Sequence, residues 1–254
     1  KNSPYEYAPA DATLGAPDLS QLGTAHYTQY LERYVAIVKP QFLSYDNYRV
    51  LFTNDLQSAG AADYFTNLLE VRRVALEPTL PFWHIVSSNR ILPQTPVPSP
   101  ANLLLKAYPP LAAGAKGLTW YTYYSTGYLN APIDANGNRT ATWSYLRMVN
   151  EQIKLLGPIL RPLKSTGVYF TKAASAPLSG ADLPALPGNW VQSIACASPL
   201  MVGEFAAANG QQYAVIVNLS LRDSVSFKLT ARDAKDEIRE ISVADASLIP
   251  LQPG

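Results

Sequence analysis

Three times between residues 24 and 124 the chain repeats one plan: apolar residues three and four apart, then a breaking residue, then a short apolar run of strand length. In the first copy, TAHYTQYLERYVAIV puts Tyr27, Tyr30, Leu31, Tyr34, Val35 and Val38 on one helical face. Pro40 stops that helix, and QFLSYDNY reads as a buried strand ending near Asp46. The second copy is DYFTNLLEVRRVALE, with Phe65, Leu68, Leu69, Arg72 and Leu76 at helical spacing, then Pro78, then the strand PFWHIVSS. The third runs from about Ser99, where ANLLLKAYPPLAAG precedes AKGLTWYTYY. Pro109 and Pro110 inside its helix predict a kink or a break. A last helix, TWSYLRMVNEQIKLLGPIL, closes the series. Strands separated by helices on short connections are expected to run parallel, in βα units.

From about Gly167 the pattern changes. GVYFTKA, NWVQSIACA, LMVGEFAA, QQYAVIVNLS, SVSFKLTA and EIREISV are short strand-like runs divided by turn residues, which predicts an antiparallel β-sandwich. The expected organisation is an α/β domain over residues 1–165 and an all-β sandwich domain over 166–254. A complete eight-stranded barrel needs roughly 250 residues, and the first segment offers three clear strands and a stub near Glu6. The fold class expected is therefore the C-terminal part of a TIM-type (β/α) barrel followed by the sandwich.

Composition removes several function classes. Lys and Arg number 20 against 19 Asp and Glu, so there is no basic stripe to favour nucleic acid. No apolar run reaches the length of a membrane span. A single cysteine, Cys196, rules out an internal disulfide and any cysteine-based metal cluster. Only His26 and His84 are present, and the chain has no GxGxxG, P-loop, HExxH or GxSxG motif, so no metal or cofactor is expected.

In a parallel barrel, chemistry sits at the C-terminal ends of the strands. The first strand ends in Tyr45, Asp46, Asn47 and Tyr48, where Asp46 suits a nucleophile, a general base or a ligand for sugar hydroxyls; a loop cap is the alternative. The second carries Trp83 and His84 and ends in Ser87, Ser88 and Asn89. His84 lies between apolar neighbours, where a hydrogen-bonded core histidine is the more common role. The third carries Trp120, Tyr121, Tyr123 and Tyr124, of which some fill the interior while those at the end offer a platform for a sugar ring. Asp134 in DANGN is expected in a turn on conformational grounds.

The strings TAHYTQYLERYVAIVKPQFLSYDNY, YFTNLLEVRRVAL, PFWHIVSS and LAAGAKGLTWYTYY resemble the later barrel strands of bacterial glycoside-hydrolase-like proteins of the β-galactosidase-like kind, over about residues 20–165. LKSTGVYF and LMVGEFAAANGQQYAVIVNLS look like the β domain that ends such chains. The resemblance implies a glycosidase acting on β-linked carbohydrate, in a secreted or periplasmic setting. It makes the three strands the sixth, seventh and eighth, and puts the acid/base on a fourth strand that a preceding segment or separate chain would supply. Where the large glycosidase clan has a nucleophilic Glu after the seventh strand, this chain has Ser87, Ser88 and Asn89, so the catalytic assignment moves to Asp46. Tyr45, Asn47, Tyr48, Trp83, His84, Ser88, Trp120 and Tyr121 are the expected substrate-binding residues. The alternative is a non-catalytic carbohydrate-binding or structural protein.

Overall fold

The computed structural model describes residue 20 and residues 22–48, 59–91 (side chains from 63), 95–125, 127–171, 182–233 and 237–251. The stub near Glu6 lies outside them. Helix α1 (Tyr27–Val38) leads to β1 (Leu43–Asp46), α2 (Ala59–Leu76) to β2 (Phe82–Ser87), and α3 (Pro100–Ala112) to β3 (Gly117–Tyr121). The order in the sheet is β1-β2-β3, all parallel, with Ser44 beside Trp83 and Trp83 beside Gly117. Helix α4 (Ala141–Leu160) follows.

Local signals set these boundaries. Ser99 caps α3 by accepting from the Asn102 amide at 3.2 Å, with Pro100 in the first turn where its missing N–H costs nothing. Thr140 caps α4 in the same way through the Thr142 amide. Lys39 ends α1 in the left-handed region at φ 49. The break expected at Pro109 and Pro110 does not occur. Both lie in the last turn of α3, which runs to Ala112, and their carbonyls accept from Ala113 and Ala115. A proline at a helix end removes few hydrogen bonds, which accounts for the difference.

The helices cover one face of the parallel sheet. Leu43 and Phe82 point into a cluster with Tyr64, Phe65, Leu68 and Val71 of α2, while Leu118 and Trp120 pack with Leu103, Ala107, Leu146 and Val149 of α3 and α4. Lys116, just ahead of β3, donates to the Leu160, Arg161 and Leu163 carbonyls at 3.2, 3.0 and 2.7 Å, so one cation satisfies the open C-terminal end of α4.

The remaining strands are β4 (Lys164–Phe170), β5 (Val191–Cys196), β6 (Leu200–Ala206), β7 (Gln212–Asn218), β8 (Phe227–Ala231), β9 (Arg239–Ile241) and β10 (Leu248–Pro250). They form an antiparallel sheet β4-β6-β7 and two separate ribbons, β5-β8 and β9-β10. Among the described residues neither the barrel nor the sandwich expected from the sequence is present. Among the described residues β1 and β3 each have one sheet neighbour, and three strands cannot generate the tilt and stagger of a closed barrel. The sandwich fails because the inner face of β4-β6-β7 meets helices instead of a second sheet: Val168, Phe170, Met201 and Val217 join the α2 cluster. The architecture is a mixed α/β fold of several small sheets, in which one core draws on residues from both sides of the change in pattern near residue 165.

Gly203 shows how close that docking is. A methyl group there would run into the carbonyl of Ala112 at the end of α3, whereas one at Gly157 in α4 meets nothing within 4 Å. Gly203→Ala is expected to destabilise the fold by about 1–3 kcal/mol, lowering Tm by several degrees in a thermal melt. Gly157→Ala, which only improves helix propensity, should leave Tm unchanged or raise it.

Candidate functional site

Strand alternation divides the nominated residues into two sets. Tyr45, His84 and Trp120 face the helices; Asp46, Trp83 and Tyr121 face the side that no described helix covers. On this open side Trp83, Tyr121 and Phe42 are 39%, 38% and 42% exposed, and Trp83 and Phe42 pack with ring centroids 4.9 Å apart. Trp83 lies level with Ser44, two positions before Asp46, and its indole covers Gly117. It therefore belongs to the lower part of the sheet, away from the strand ends.

At the strand ends Asp46, Tyr48 and Tyr121 come together. Tyr48 stacks on Tyr121 at 6.0 Å and 26°, and Tyr121 meets Tyr128 edge-on at 5.7 Å, with the two hydroxyls 3.3 Å apart. The phenol of Tyr121 is held above its usual pKa first by the hydrogen bond to Tyr128 and then by desolvation, with the Asp46 carboxylate adding a smaller push. Tyr121 therefore keeps its proton, and because one hydroxyl of the pair donates to the other, one hydroxyl proton is left to donate beside the Asp46 carboxyl group. Tyr128 was not singled out from the sequence. Its place in the loop after β3 gave no periodic signal, although TyrSerThrGlyTyr repeats the spacing of an aromatic pair.

Other nominated residues hold the frame. Asn47 is buried and donates to Asn67 of α2 at 2.8 Å. Ser88 donates its hydroxyl to the Thr122 carbonyl at 2.8 Å, and its amide donates to Tyr121. Asn89 donates to the Thr122 hydroxyl at 3.0 Å, so the end of β2 is stitched to the end of β3. The loop beyond is pinned by Ser125 to the Tyr128 carbonyl at 2.6 Å and by Arg90 to the Leu129 carbonyl at 2.8 Å. Trp120 donates its indole N–H to Asn150 of α4 at 2.9 Å. Asp134 accepts from the amides of Asn136 and Asn138, the turn role expected of it.

A second carboxylate needs a structural account as well. Glu204 on β6 is fully buried and accepts from the amides of Asn189, Trp190 and Val191 at 2.6, 3.1 and 2.9 Å. It anchors the chain entering β5, on the face of its sheet turned away from the helices. Among the described residues no group of three or more His, Cys, Asp or Glu side chains could hold a metal ion, and no helix is long and apolar enough to cross a membrane.

No protein-family model and no curated protein matches the chain. What the site can do has to follow from its side chains.

His84 sits beneath the site with its ring edge-on to Tyr45 at 4.4 Å and to Tyr64 at 5.7 Å. Neither ring nitrogen makes a hydrogen bond of good geometry, and burial lowers its pKa to about 3, with a weaker opposing contribution from the Asn47 backbone. In the unfolded chain the same group titrates near 6.5. Between these values the unfolded chain carries the extra proton, so stability falls as pH drops through that window and is unaffected by His84 above it. At about 1.4 kcal/mol per pH unit, acidifying from pH 6.5 to 5 is expected to cost about 2 kcal/mol that the His84→Leu variant does not lose. Urea unfolding of both proteins at several pH values measures the difference, and equal pH slopes would contradict it.

Proposed function

We propose that this protein binds carbohydrate at the open end of its parallel sheet, with Tyr121 as the stacking surface and Asp46 and the Tyr128 hydroxyl as hydrogen-bonding partners for sugar hydroxyls. The observation that carries the reading is the partly exposed Tyr121 ring, stacked with Tyr48 and met edge-on by Tyr128, beside a carboxylate on the same face. A pyranose ring presents one C–H-rich face and a rim of hydroxyls, which matches an aromatic plane edged by a carboxyl group and by the one hydroxyl proton that the Tyr121–Tyr128 pair leaves free. The rigid stitching of the β2 and β3 ends supports it, because a preorganised surface loses less entropy on binding.

Recognition needs only groups that the described residues supply. Glycoside hydrolysis needs a second carboxylate flanking the bond, about 5–10 Å from the first. Asp46 would be one of that pair, and a further segment would have to bring the other.

The test is calorimetric titration of the whole chain with β-linked oligosaccharides such as cellotetraose and β-1,4-galactotetraose, combined with an assay for new reducing ends. Saturable binding without cleavage is expected, weakened about fivefold to tenfold by Tyr121→Ala and also by Asp46→Ala. Absence of binding, or a Tyr121→Ala protein that binds as well as the parent, would refute the assignment. Release of reducing sugar that Asp46→Asn abolishes would establish hydrolysis instead.

A further inference from the structure

Beyond Tyr121 the chain turns outward, and Tyr123, two residues on, forms one wall of a cavity of about 280 Å³ against the exposed side of α4. Its other lining residues are Trp143, Leu146, Arg147, Asn150, Glu151 and Lys154, which recur at helical spacing along three turns of α4. The size lies near the lower end of small-ligand sites, about 300 Å³, and suits one monosaccharide unit rather than a chain.

The aromatic wall is fixed in place. The Trp143 indole N–H donates to the Tyr123 hydroxyl at 3.1 Å, and the Arg139 guanidinium lies 3.9 Å from the indole centroid. A tryptophan held at its edge and packed under a cation has little rotamer freedom left to lose when a ligand arrives.

The polar groups around this wall are unbalanced in charge and in hydrogen-bonding sense. Arg147 and Glu151 pair at 2.7 Å and cancel. Lys154 has no carboxylate partner among the described residues, so the lining keeps one surplus positive charge. The Asn150 carbonyl accepts from Trp120, which leaves its amide protons to donate, and the Tyr123 hydroxyl accepts from Trp143, which leaves its own proton to donate. Lys154, the Asn150 amide and the Tyr123 hydroxyl are thus donors, while the one carboxylate of the lining, Glu151, is engaged with Arg147 through one oxygen. A ligand that completes the site must bring acceptors and negative charge together with an apolar face.

We propose that this cavity binds the acidic unit of a carbohydrate, a uronic acid residue, whose ring lies against Trp143 and Tyr123 and whose carboxylate is met by Lys154 and the Asn150 amide. The inference rests on the carbohydrate reading of the neighbouring strand end and extends it to a second position, since Tyr123 follows Tyr121 by two residues in the chain. The class of ligand is then an acidic oligosaccharide rather than a neutral one.

The experiment compares oligogalacturonate with a neutral galacto-oligosaccharide of equal length, titrated into the whole chain at low and at high salt. The acidic ligand is expected to bind about fivefold to tenfold more tightly at low salt, with that ratio falling toward one in 0.5 M salt and in Lys154→Gln. Lys154 is exposed, so an unchanged melting curve verifies that the variant is folded. Equal affinity for the two ligands, or an acidic preference that Lys154→Gln retains, overturns the inference. The two readings fail separately. Galacturonic acid binding that depends on Lys154, in a protein that ignores neutral sugars, would keep the cavity and remove the strand-end site. Neutral binding that depends on Tyr121, without any acidic preference, would do the reverse.

Discussion

The edge-on contact between Phe65 of α2 and Phe170 of β4, 5.3 Å between centroids, is where the two halves of the molecule become one. Phe65 is fully buried, as are Leu68 and Val71 one and two turns on, so α2 is enclosed by the parallel sheet through Phe82 and by the antiparallel sheet through Phe170 and Met201. The apolar face of a parallel sheet is buried under the helices that connect its strands. Here the helices that cover it are themselves covered on the far side, and the site at the strand ends inherits its rigidity from that second layer. Arg72, reaching from α2 to the Ser165 hydroxyl at 3.0 Å, adds a polar tie across the same seam.

Much of this was legible in the sequence at the level of elements. The periodicity of residues 24–38, the apolar runs around Leu43 and Phe82, and the alternating pattern near Val168 and Val202 all formed the structures expected, because each depends on local spacing and local breaking residues. Closure was not legible. Whether three βα units form part of a barrel depends on neighbours far away in sequence, and whether strands pair into a sandwich depends on which surface they bury. β6 settles the second point physically: Met201, Gly203 and Phe205 turn toward α3 and the core, so helices occupy the side where an opposing sheet would have been.

The site was half legible for a related reason. Residue type drew attention to Asp46, Tyr48 and Tyr121, which do converge, and equally to His84, Asn47 and Ser88, which are buried in the frame beneath them. Polar side chains at strand ends look alike in sequence whether they face a ligand or brace a neighbouring strand. The distinction lies in hydrogen bonds made across the sheet, such as Ser88 to Thr122, and these cross 34 residues of chain. Tyr128 carried no signal because its role is set by the path of the loop after β3, which has no periodic signature, and the role of Trp143, on the periodic helix α4, depends on Tyr123 from that same loop.

β3 holds both outcomes within two consecutive residues. Trp120 turns inward, its indole tied to Asn150, while Tyr121 turns outward beside Asp46. Since side chains alternate from one residue to the next along a strand, sliding β3 by one position against β2 would exchange them. The indole would then stand in solvent and the phenol beneath the sheet. The hydrogen bonds from Ser88 and Asn89 to the end of β3 therefore do more than brace a loop: they lock the phase of the strand, so an insertion or deletion between α3 and β3 would erase the ligand surface while leaving every residue of it in the chain.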